Sequence, residues 1–185
     1  MDLTEKTIKK NYIYEGKIIT VRRDDALLPN GAEAIREVVE HPGGVCVAPL
    51  TADGELIFVE QFRYPYMEVV LELPAGKLEK GEDPFEAGKR ELEEETGCVA
   101  GNYIDCGKFY PSPGYCGEII HLYLAKTLTK TQMHPDEDEY LEVLKLPIDE
   151  AVRRVMNGEL RDGKTQTLVL RVAELLRTGN FGRRI

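Results

Sequence analysis

The chain has 185 residues and a formal net charge of −9 at pH 7, and 42% of its residues are hydrophobic. This length suits one domain with a sizeable core and a small appendage, and the acidic balance argues against a nucleic-acid-binding surface, which would show a basic stripe. The N-terminus lacks the apolar segment of a signal peptide, and no apolar run approaches the roughly 20 residues that span a bilayer. We therefore expect a cytoplasmic protein without a nucleic-acid or membrane partner. The four cysteines have no zinc-site spacing, so we expect reduced thiols.

The N-terminal region, residues 1–42, has a β-type pattern. Apolar residues alternate with polar ones in Lys17–Arg22 and Ala34–Val39, and the turn signal Pro29-Asn30-Gly31 predicts that the two strands form a hairpin. This region is too small and too polar to bury much surface alone. We expect it to pack on the main domain or on a second subunit.

A second domain is predicted for residues 43–185, after the break His41-Pro42-Gly43-Gly44. Strands are predicted at Val45–Leu50 and Leu56–Phe62, and the turn Ala52-Asp53-Gly54 between them predicts a second hairpin. The elements predicted further along the chain are strands at Val69–Leu73, Asn102–Phe109, Glu118–Ala125 and Tyr140–Leu146, and helices at about Ile148–Asn157 and Gly163–Arg177. Early strands, one central helix and two terminal helices predict a mixed α/β fold, with a mixed sheet between helical layers.

The central helix is predicted within the acidic segment Gly76–Cys98. Asp83 is a favourable N-cap, Pro84 suits the first helical position, and Gly97 suits a left-handed C-terminal cap. Glu86 occupies the position of a capping-box acid. A helix is therefore expected between Asp83 and Gly97.

Three acids of this helix, Glu91, Glu94 and Glu95, are spaced three and four residues apart or adjacent, so we expect their carboxylates on one helical face. Like charges this close repel, and a hard divalent cation such as Mg²⁺ would relieve the repulsion because it binds carboxylate oxygens. The alternative is a solvated acidic face, which is the usual role of such runs.

The acids belong to a longer pattern that resembles the Nudix box. The positions that match are Gly76, Glu82, Arg90, Glu91, Leu92, Glu94, Glu95, Gly97 and Cys98. Three further segments resemble the ADP-ribose pyrophosphatase branch of the Nudix hydrolases: Gln61–Pro65 before the box, Ser112-Pro113-Gly114 after it, and the acidic loop Asp136–Glu139. The resemblance implies a Nudix α/β/α sandwich and an N-terminal antiparallel β-region that is exchanged across a homodimer.

The resemblance also implies a metal site. Its ligands would be Glu91, Glu94, Glu95 and the carbonyl oxygen of Ala75, and they would hold two or three Mg²⁺ ions, with Mn²⁺ as an alternative. Arg90 would pair with one of the acids or with Glu82 and orient carboxylates rather than touch the substrate, since a guanidinium binds a carboxylate through two hydrogen bonds.

The catalytic base is expected in the acidic loop. Glu137 and Glu139 are the candidates, and the resemblance favours Glu137 as the base and Glu139 as an auxiliary metal ligand. A solvated acidic turn is the alternative for this loop.

Substrate contacts are assigned by resemblance to Arg36, Glu37 and Arg63. Arg63 could bind a phosphate, whereas Arg36 and Glu37 could reach the adenine or the diphosphate from a neighbouring subunit. Gly114 and Glu118 flank the loop expected to border the terminal ribose.

The expected activity is Mg²⁺-dependent hydrolysis of ADP-ribose to AMP and ribose 5-phosphate, with water attacking the adenosine-side phosphorus. Hydrolysis of another nucleoside diphosphate sugar, such as GDP-mannose, is the nearest alternative. A non-catalytic sensor of ADP-ribose is the alternative from another class, but a protein that only binds would have no need of the full set of box acids.

Overall fold

A computed structural model describes residues 2–136 and 139–181. The chain divides into two compact units. The first comprises the chain up to Gly43 together with Tyr110–Ile119, and the second comprises Gly44–Phe109 together with the chain from Ile120 onward. Within the described residues, no helix has both the length and the apolar character needed to cross a membrane.

The first unit is built on a four-stranded antiparallel sheet. Its strands are β1 (Lys6–Lys9), β2 (Tyr12–Glu15), β3 (Thr20–Leu27) and β4 (Glu33–Glu40). The long strand β3 pairs with β1 and β2 along one edge and with β4 along the other. The predicted hairpin is therefore present as β3 and β4.

The first strand of that hairpin is displaced from its predicted position. The sequence prediction placed it at Lys17–Arg22, which is wrong, because the observed strand begins at Thr20 and continues to Leu27. The amide of Gly16 donates a hydrogen bond of 2.9 Å to the carbonyl of Ile19, so this apolar stretch forms a turn instead.

The segment Tyr110–Ile119 joins the first unit through β4. Val39 donates its amide to the carbonyl of Tyr115 at 2.8 Å, and Gly117 donates its amide to the carbonyl of Val39 at 2.9 Å. The sequence-based boundary assigned this segment to the second domain because these pairings are distant along the chain.

The second unit contains two sheets and three helices. The strands are β5 (Gly44–Pro49), β6 (Glu55–Arg63), β7 (Glu68–Glu72), β8 (Ala75–Lys77), β9 (Cys98–Phe109), β10 (Ile120–Lys130) and β11 (Leu141–Pro147). The helices are α1 (Pro84–Thr96), α2 (Ile148–Met156) and α3 (Gly163–Thr178). One sheet has the order β8-β5-β10-β9 and the other β11-β6-β7. The first sheet is mixed, because β10 is parallel to β5 and antiparallel to β9.

The predicted hairpin of the second unit is wrong. Strands β5 and β6 belong to different sheets, and an isolated bridge joins Leu50, just after β5, to Leu56. Strand β5 is buried along its whole length, which is the environment of a central strand. It pairs with β8 and β10 rather than with its neighbour in sequence.

The core has two halves, on opposite faces of β5. Cys46 and Ala48 belong to the cluster that includes residues of α2 and α3, whereas Val45 and Val47 pack with Ala87 and Leu92 of α1 and with neighbouring strands. Successive side chains of a strand point to opposite faces. The sheet therefore lies between α1 on one face and α2 with α3 on the other, which is the predicted α/β/α sandwich.

Candidate active site

Helix α1 begins and ends where its capping residues predict. One carboxylate oxygen of Asp83 accepts hydrogen bonds from the amides of Phe85 at 2.9 Å and Glu86 at 3.2 Å. At the other end, Gly97 adopts a left-handed conformation with φ of 60° and donates its amide to the carbonyl of Glu93. The Glu86 side chain instead binds Lys89.

Two of the helix acids, Glu91 and Glu95, lie against the backbone of β8. Both are buried, with 7% and 2% of their surface exposed. Glu95 accepts a hydrogen bond of 3.0 Å from the amide of Ala75. A β-carbon at Gly76 would lie 1.9 Å from the Oε1 atom of Glu91. The glycine that opens the acidic segment thus makes room for a carboxylate.

Burial raises the pKa of both carboxyl groups. The pKa of Glu91 rises to about 7 and that of Glu95 to about 8. Desolvation is the largest cause in each case, and the charge of Glu139 raises both values further. Glu91 also raises the pKa of Glu95 by like-charge repulsion. A further positive charge close to both acids would therefore favour their deprotonated forms.

Arg90 binds three acids at the exposed side of this pair. Its Nε and Nη2 atoms donate to Glu82 at 2.9 and 3.1 Å. Its Nη1 atom lies 2.8 Å from carboxylate oxygens of both Glu91 and Glu94. The predicted pairing with Glu82 is present. These contacts orient carboxylates and leave little of the guanidinium for a substrate.

The donor set fits a hard divalent cation. Buried carboxylates and neighbouring backbone carbonyls are the oxygen ligands that Mg²⁺ and Mn²⁺ prefer, and the space left by the missing side chain of Gly76 holds the Glu91 carboxylate beside β8. Over residues 2–136 and 139–181, however, no three His, Cys, Asp or Glu side chains already form a ligand cluster. Glu94 hydrogen-bonds to the Nη1 atom of Arg90, which also lies 2.8 Å from Glu91.

The acidic loop is described only in part. Glu137 lies outside the described residues. The amide of Glu139 donates a hydrogen bond of 2.9 Å to the carbonyl of Asp136. Its charge acts on both Glu91 and Glu95, which places its carboxylate within electrostatic reach of the two buried acids.

Arg63, at the end of β6, binds an acid that the sequence analysis missed. Its Nε and Nη2 atoms donate to the two carboxylate oxygens of Glu72, at 2.6 and 2.7 Å. Lys164, from α3, binds the same carboxylate. A charged residue inside the apolar run Val69–Leu73 was the available signal, because a buried acid needs a partner.

The remaining predicted substrate residues belong to the first unit. Arg36 is exposed and donates two hydrogen bonds to Glu5, at 2.8 and 2.6 Å. Glu37 is exposed as well. The space around Gly114 is open, because a β-carbon there would meet no atom within 4 Å. A carboxylate oxygen of Glu118 lies 3.5 Å from the Nδ1 atom of His41. The partnership of Glu5 with Arg36 was not predicted.

A cavity of about 890 Å³ lies elsewhere in the second unit, beside the C-terminal end of α1. It is lined by residues such as Leu50, Ile57, Cys98 and Met133 and by none of the predicted site residues. Because the chemistry of the acids and not the volume of a cavity indicates the site, we assign the candidate active site to the face formed by α1 and β8.

Comparisons with known proteins show similarity over most of the chain. Residues 40–167 match the family model described as the NUDIX domain, and residues 5–39 match the nucleoside diphosphate sugar hydrolase N-terminal domain. The chain is 45% identical to the ADP-ribose pyrophosphatase of Bacillus subtilis (strain 168) over 88% of this chain and 89% of the relative. It is 44% identical to the methanol dehydrogenase activator of Bacillus methanolicus, over 87% of this chain and 88% of that relative.

Two further similarities bear on substrate and fold. The chain is 33% identical to a GDP-mannose pyrophosphatase of Yersinia enterocolitica serotype O:8 / biotype 1B (strain NCTC 13174 / 8081), over 78% of this chain and 82% of the relative. The crystal structure of an ADP compounds hydrolase superposes with a TM-score of 0.85 at 21% identity, covering 98% of this chain and 100% of that chain. This structural match supports the α/β/α fold.

Proposed function

The chain belongs to the Nudix family, and from this premise we propose that it hydrolyses the pyrophosphate bond of ADP-ribose, giving AMP and ribose 5-phosphate. The observation that carries the proposal is the pair of buried carboxylates, Glu91 and Glu95, held against β8 at Gly76. Burying two acids together is unfavourable without a cation, and Nudix hydrolases generally use divalent metal ions. The name of the Bacillus subtilis relative supports ADP-ribose as the substrate.

We assign Glu91, Glu94, Glu95 and the carbonyl of Ala75 as the groups that would hold Mg²⁺, with Mn²⁺ as an alternative. Bound there, the ions would neutralise the diphosphate and lower the pKa of a coordinated water. The local charge supports more than one ion. The carboxylates of Glu82, Glu91 and Glu94 share the single guanidinium of Arg90, and the substrate adds further negative charge. Two or three divalent ions would offset this excess.

The chain's own residues have separate roles in this proposal. Arg90 keeps Glu91 and Glu94 in place through its hydrogen bonds. Glu137, in the acidic loop, removes the proton from the attacking water, and Glu139 assists at the metal site. The electrostatic effect of Glu139 on Glu91 and Glu95 supports its place beside them.

Substrate binding is assigned to both units. Arg63 provides a guanidinium for a phosphate oxygen. Arg36, Glu37, Gly114 and Glu118 provide contacts to the nucleoside and the terminal ribose. We propose that the active form is a homodimer in which the first unit serves the site of its partner. The four cysteines are free thiols, which suits the reducing environment of the cytoplasm.

Hydrolysis of GDP-mannose is the second candidate, because the Yersinia enterocolitica relative carries that name at 33% identity. The two substrates share the diphosphate and the metal chemistry. They differ in the base and in the sugar, so the contacts assigned to the first unit would decide between them.

Product analysis over a panel of nucleoside diphosphate compounds tests the proposal. Purified protein is incubated with ADP-ribose, GDP-mannose, ADP-glucose and NADH, with Mg²⁺, with Mn²⁺ or with a chelator. We expect the highest kcat/KM on ADP-ribose, AMP and ribose 5-phosphate as products, and no turnover with the chelator. A higher kcat/KM on GDP-mannose would favour the second candidate, and binding of ADP-ribose without turnover would favour a sensor.

A further inference from the structure

Four charged side chains form a linked group around the ends of β6 and β7 and the start of α3. Glu72 is only 2% exposed and binds the guanidinium of Arg63 through both carboxylate oxygens. Lys164 binds the Oε2 atom of Glu72 and also lies 3.0 Å from a carboxylate oxygen of Asp162. The lysine side chain is 13% exposed, so water contributes little to its solvation.

Lys164 is held in place by the start of α3. The Oδ2 atom of Asp162 caps the helix, because it accepts a hydrogen bond of 2.9 Å from the amide of Thr165. The Oδ1 atom of the same carboxylate faces Lys164. The buried hydroxyl of Thr165 accepts a hydrogen bond of 2.9 Å from the amide of Leu73, the residue that follows β7. These bonds tie the helix to the strand that carries Glu72. The ammonium group of Lys164 therefore has little freedom to leave the carboxylate.

Arg63 uses only one edge of its guanidinium on Glu72. Its Nε and Nη2 atoms are engaged, whereas its Nη1 atom has no acceptor among residues 2–136 and 139–181. The side chain is 36% exposed. Hydrogen bonding to Glu72 is the main reason why the pKa of Arg63 is raised, and the charge of Glu95 raises it further. The guanidinium thus lies within electrostatic reach of a carboxylate assigned to the metal site.

We propose that Lys164 is a positioning residue, which acts through Glu72 to present the second edge of Arg63 to a phosphate oxygen of the substrate. The inference rests on the proposed function, because it needs a diphosphate beside Glu95. A carboxylate that bound Arg63 alone would cancel its charge. Because Glu72 is shared with Lys164, it offsets the charge of Arg63 only in part, and the exposed edge of the guanidinium keeps positive charge for a phosphate. Asp162 brings the net charge of the four side chains to zero, so removing Lys164 would leave the group with a net negative charge.

A purely structural ion network would behave differently. Removing Lys164 would then lower the melting temperature and leave ligand affinity unchanged in the protein that remains folded. A positioning role predicts instead a loss of affinity for the diphosphate with little change in kcat. The distinction therefore depends on measuring affinity and folding separately.

The test compares Lys164→Met with Lys89→Met, which removes the same charge from an exposed ion pair with Glu86. Lys164→Met leaves Glu72 paired with Arg63, so the fold should survive. Isothermal titration with Mg²⁺ and α,β-methylene ADP-ribose gives the Kd, and steady-state kinetics give KM and kcat. We expect Kd and KM to rise about tenfold in Lys164→Met, on the order expected from removing one nearby charge in a partly buried site. The Kd of Lys89→Met should equal that of the wild type.

Two further variants complete the test. Lys164→Arg retains the charge and should keep most of the affinity for the analogue. Glu72→Gln should lower that affinity, and it provides the test if Lys164→Met does not fold. Unchanged affinity in folded Lys164→Met or Glu72→Gln overturns the inference, as does a wild-type protein that binds neither the analogue nor Mg²⁺-pyrophosphate. If the analogue binds and the variants weaken it, but ADP-ribose is not cleaved, the inference stands and the proposed activity fails.

Discussion

Replacing Gly76 by alanine should disable the site while leaving the fold intact. The new β-carbon would lie 1.9 Å from Oε1, 2.0 Å from Cδ and 2.4 Å from Oε2 of Glu91. Ordinary contacts begin near 3.4 Å, so the carboxylate must move by about 1.5 Å. A displacement of about 1 Å at a catalytic centre costs on the order of 100-fold in rate. We therefore expect kcat/KM to fall at least 100-fold, or about 2.7 kcal/mol of transition-state stabilisation.

The assay has two readouts. Turnover of ADP-ribose is measured over a Mg²⁺ titration, and the melting temperature is measured with and without Mg²⁺. We expect a higher Mg²⁺ requirement and a smaller Mg²⁺-induced rise in melting temperature for Gly76→Ala. Gly101→Ala is the matched control, since its β-carbon would meet Thr127 at an ordinary 3.5 Å. If Gly76→Ala kept the turnover and the Mg²⁺ requirement of the wild type, the role assigned to this close approach would be refuted.

Three further predictions concern α1. Glu95→Gln removes a negative charge from the metal site but keeps an oxygen that can accept the hydrogen bond from the Ala75 amide. We expect kcat to fall at least about 1,000-fold while the far-ultraviolet circular dichroism spectrum stays unchanged. Turnover at the wild-type rate would contradict the assignment. The raised pKa values of Glu91 and Glu95, about 7 and 8, mean that the folded metal-free protein binds more protons than the unfolded chain between about pH 4.5 and about pH 8. These two groups should therefore reduce stability as pH rises towards 8, and Mg²⁺ should raise the melting temperature more at pH 8 than at pH 6; a Mg²⁺ effect independent of pH would contradict this. Asp83→Ala removes the N-cap and should cost about 1 kcal/mol, or about 2–4 °C in melting temperature, whereas an unchanged value would show that the cap contributes little.

Local signals explain which parts of the fold were predictable. The ends of α1 follow from Asp83, Pro84 and Gly97, because a helix cap acts on backbone groups within one turn. The two terminal helices were placed within a residue or two for similar reasons: α2 ends just before Gly158 and α3 ends at Gly179. Each boundary depends on neighbours in the sequence.

Contacts between distant segments were not predictable. The turn at Ala52–Gly54 suggested a hairpin of adjacent strands, but β5 pairs with β10, and nothing in the sequence of either strand specifies that partner. The same holds for the site. Lys164 binds Glu72 across 92 positions of sequence, so the sequence showed a lysine and an acid but not their contact. The spacing of Glu94 suggested its helical face, but not that Arg90 would bind it together with Glu91 and Glu82.

The central claim is that Glu91 and Glu95 bind divalent cations at a diphosphate. Anomalous diffraction from crystals grown with Mn²⁺ and α,β-methylene ADP-ribose tests it most directly, because the anomalous signal distinguishes Mn²⁺ ions from water molecules. We expect two or three peaks at the carboxylates of Glu91 and Glu95 and at the diphosphate. Clear density for the diphosphate with both carboxylates free of any anomalous peak would contradict the account.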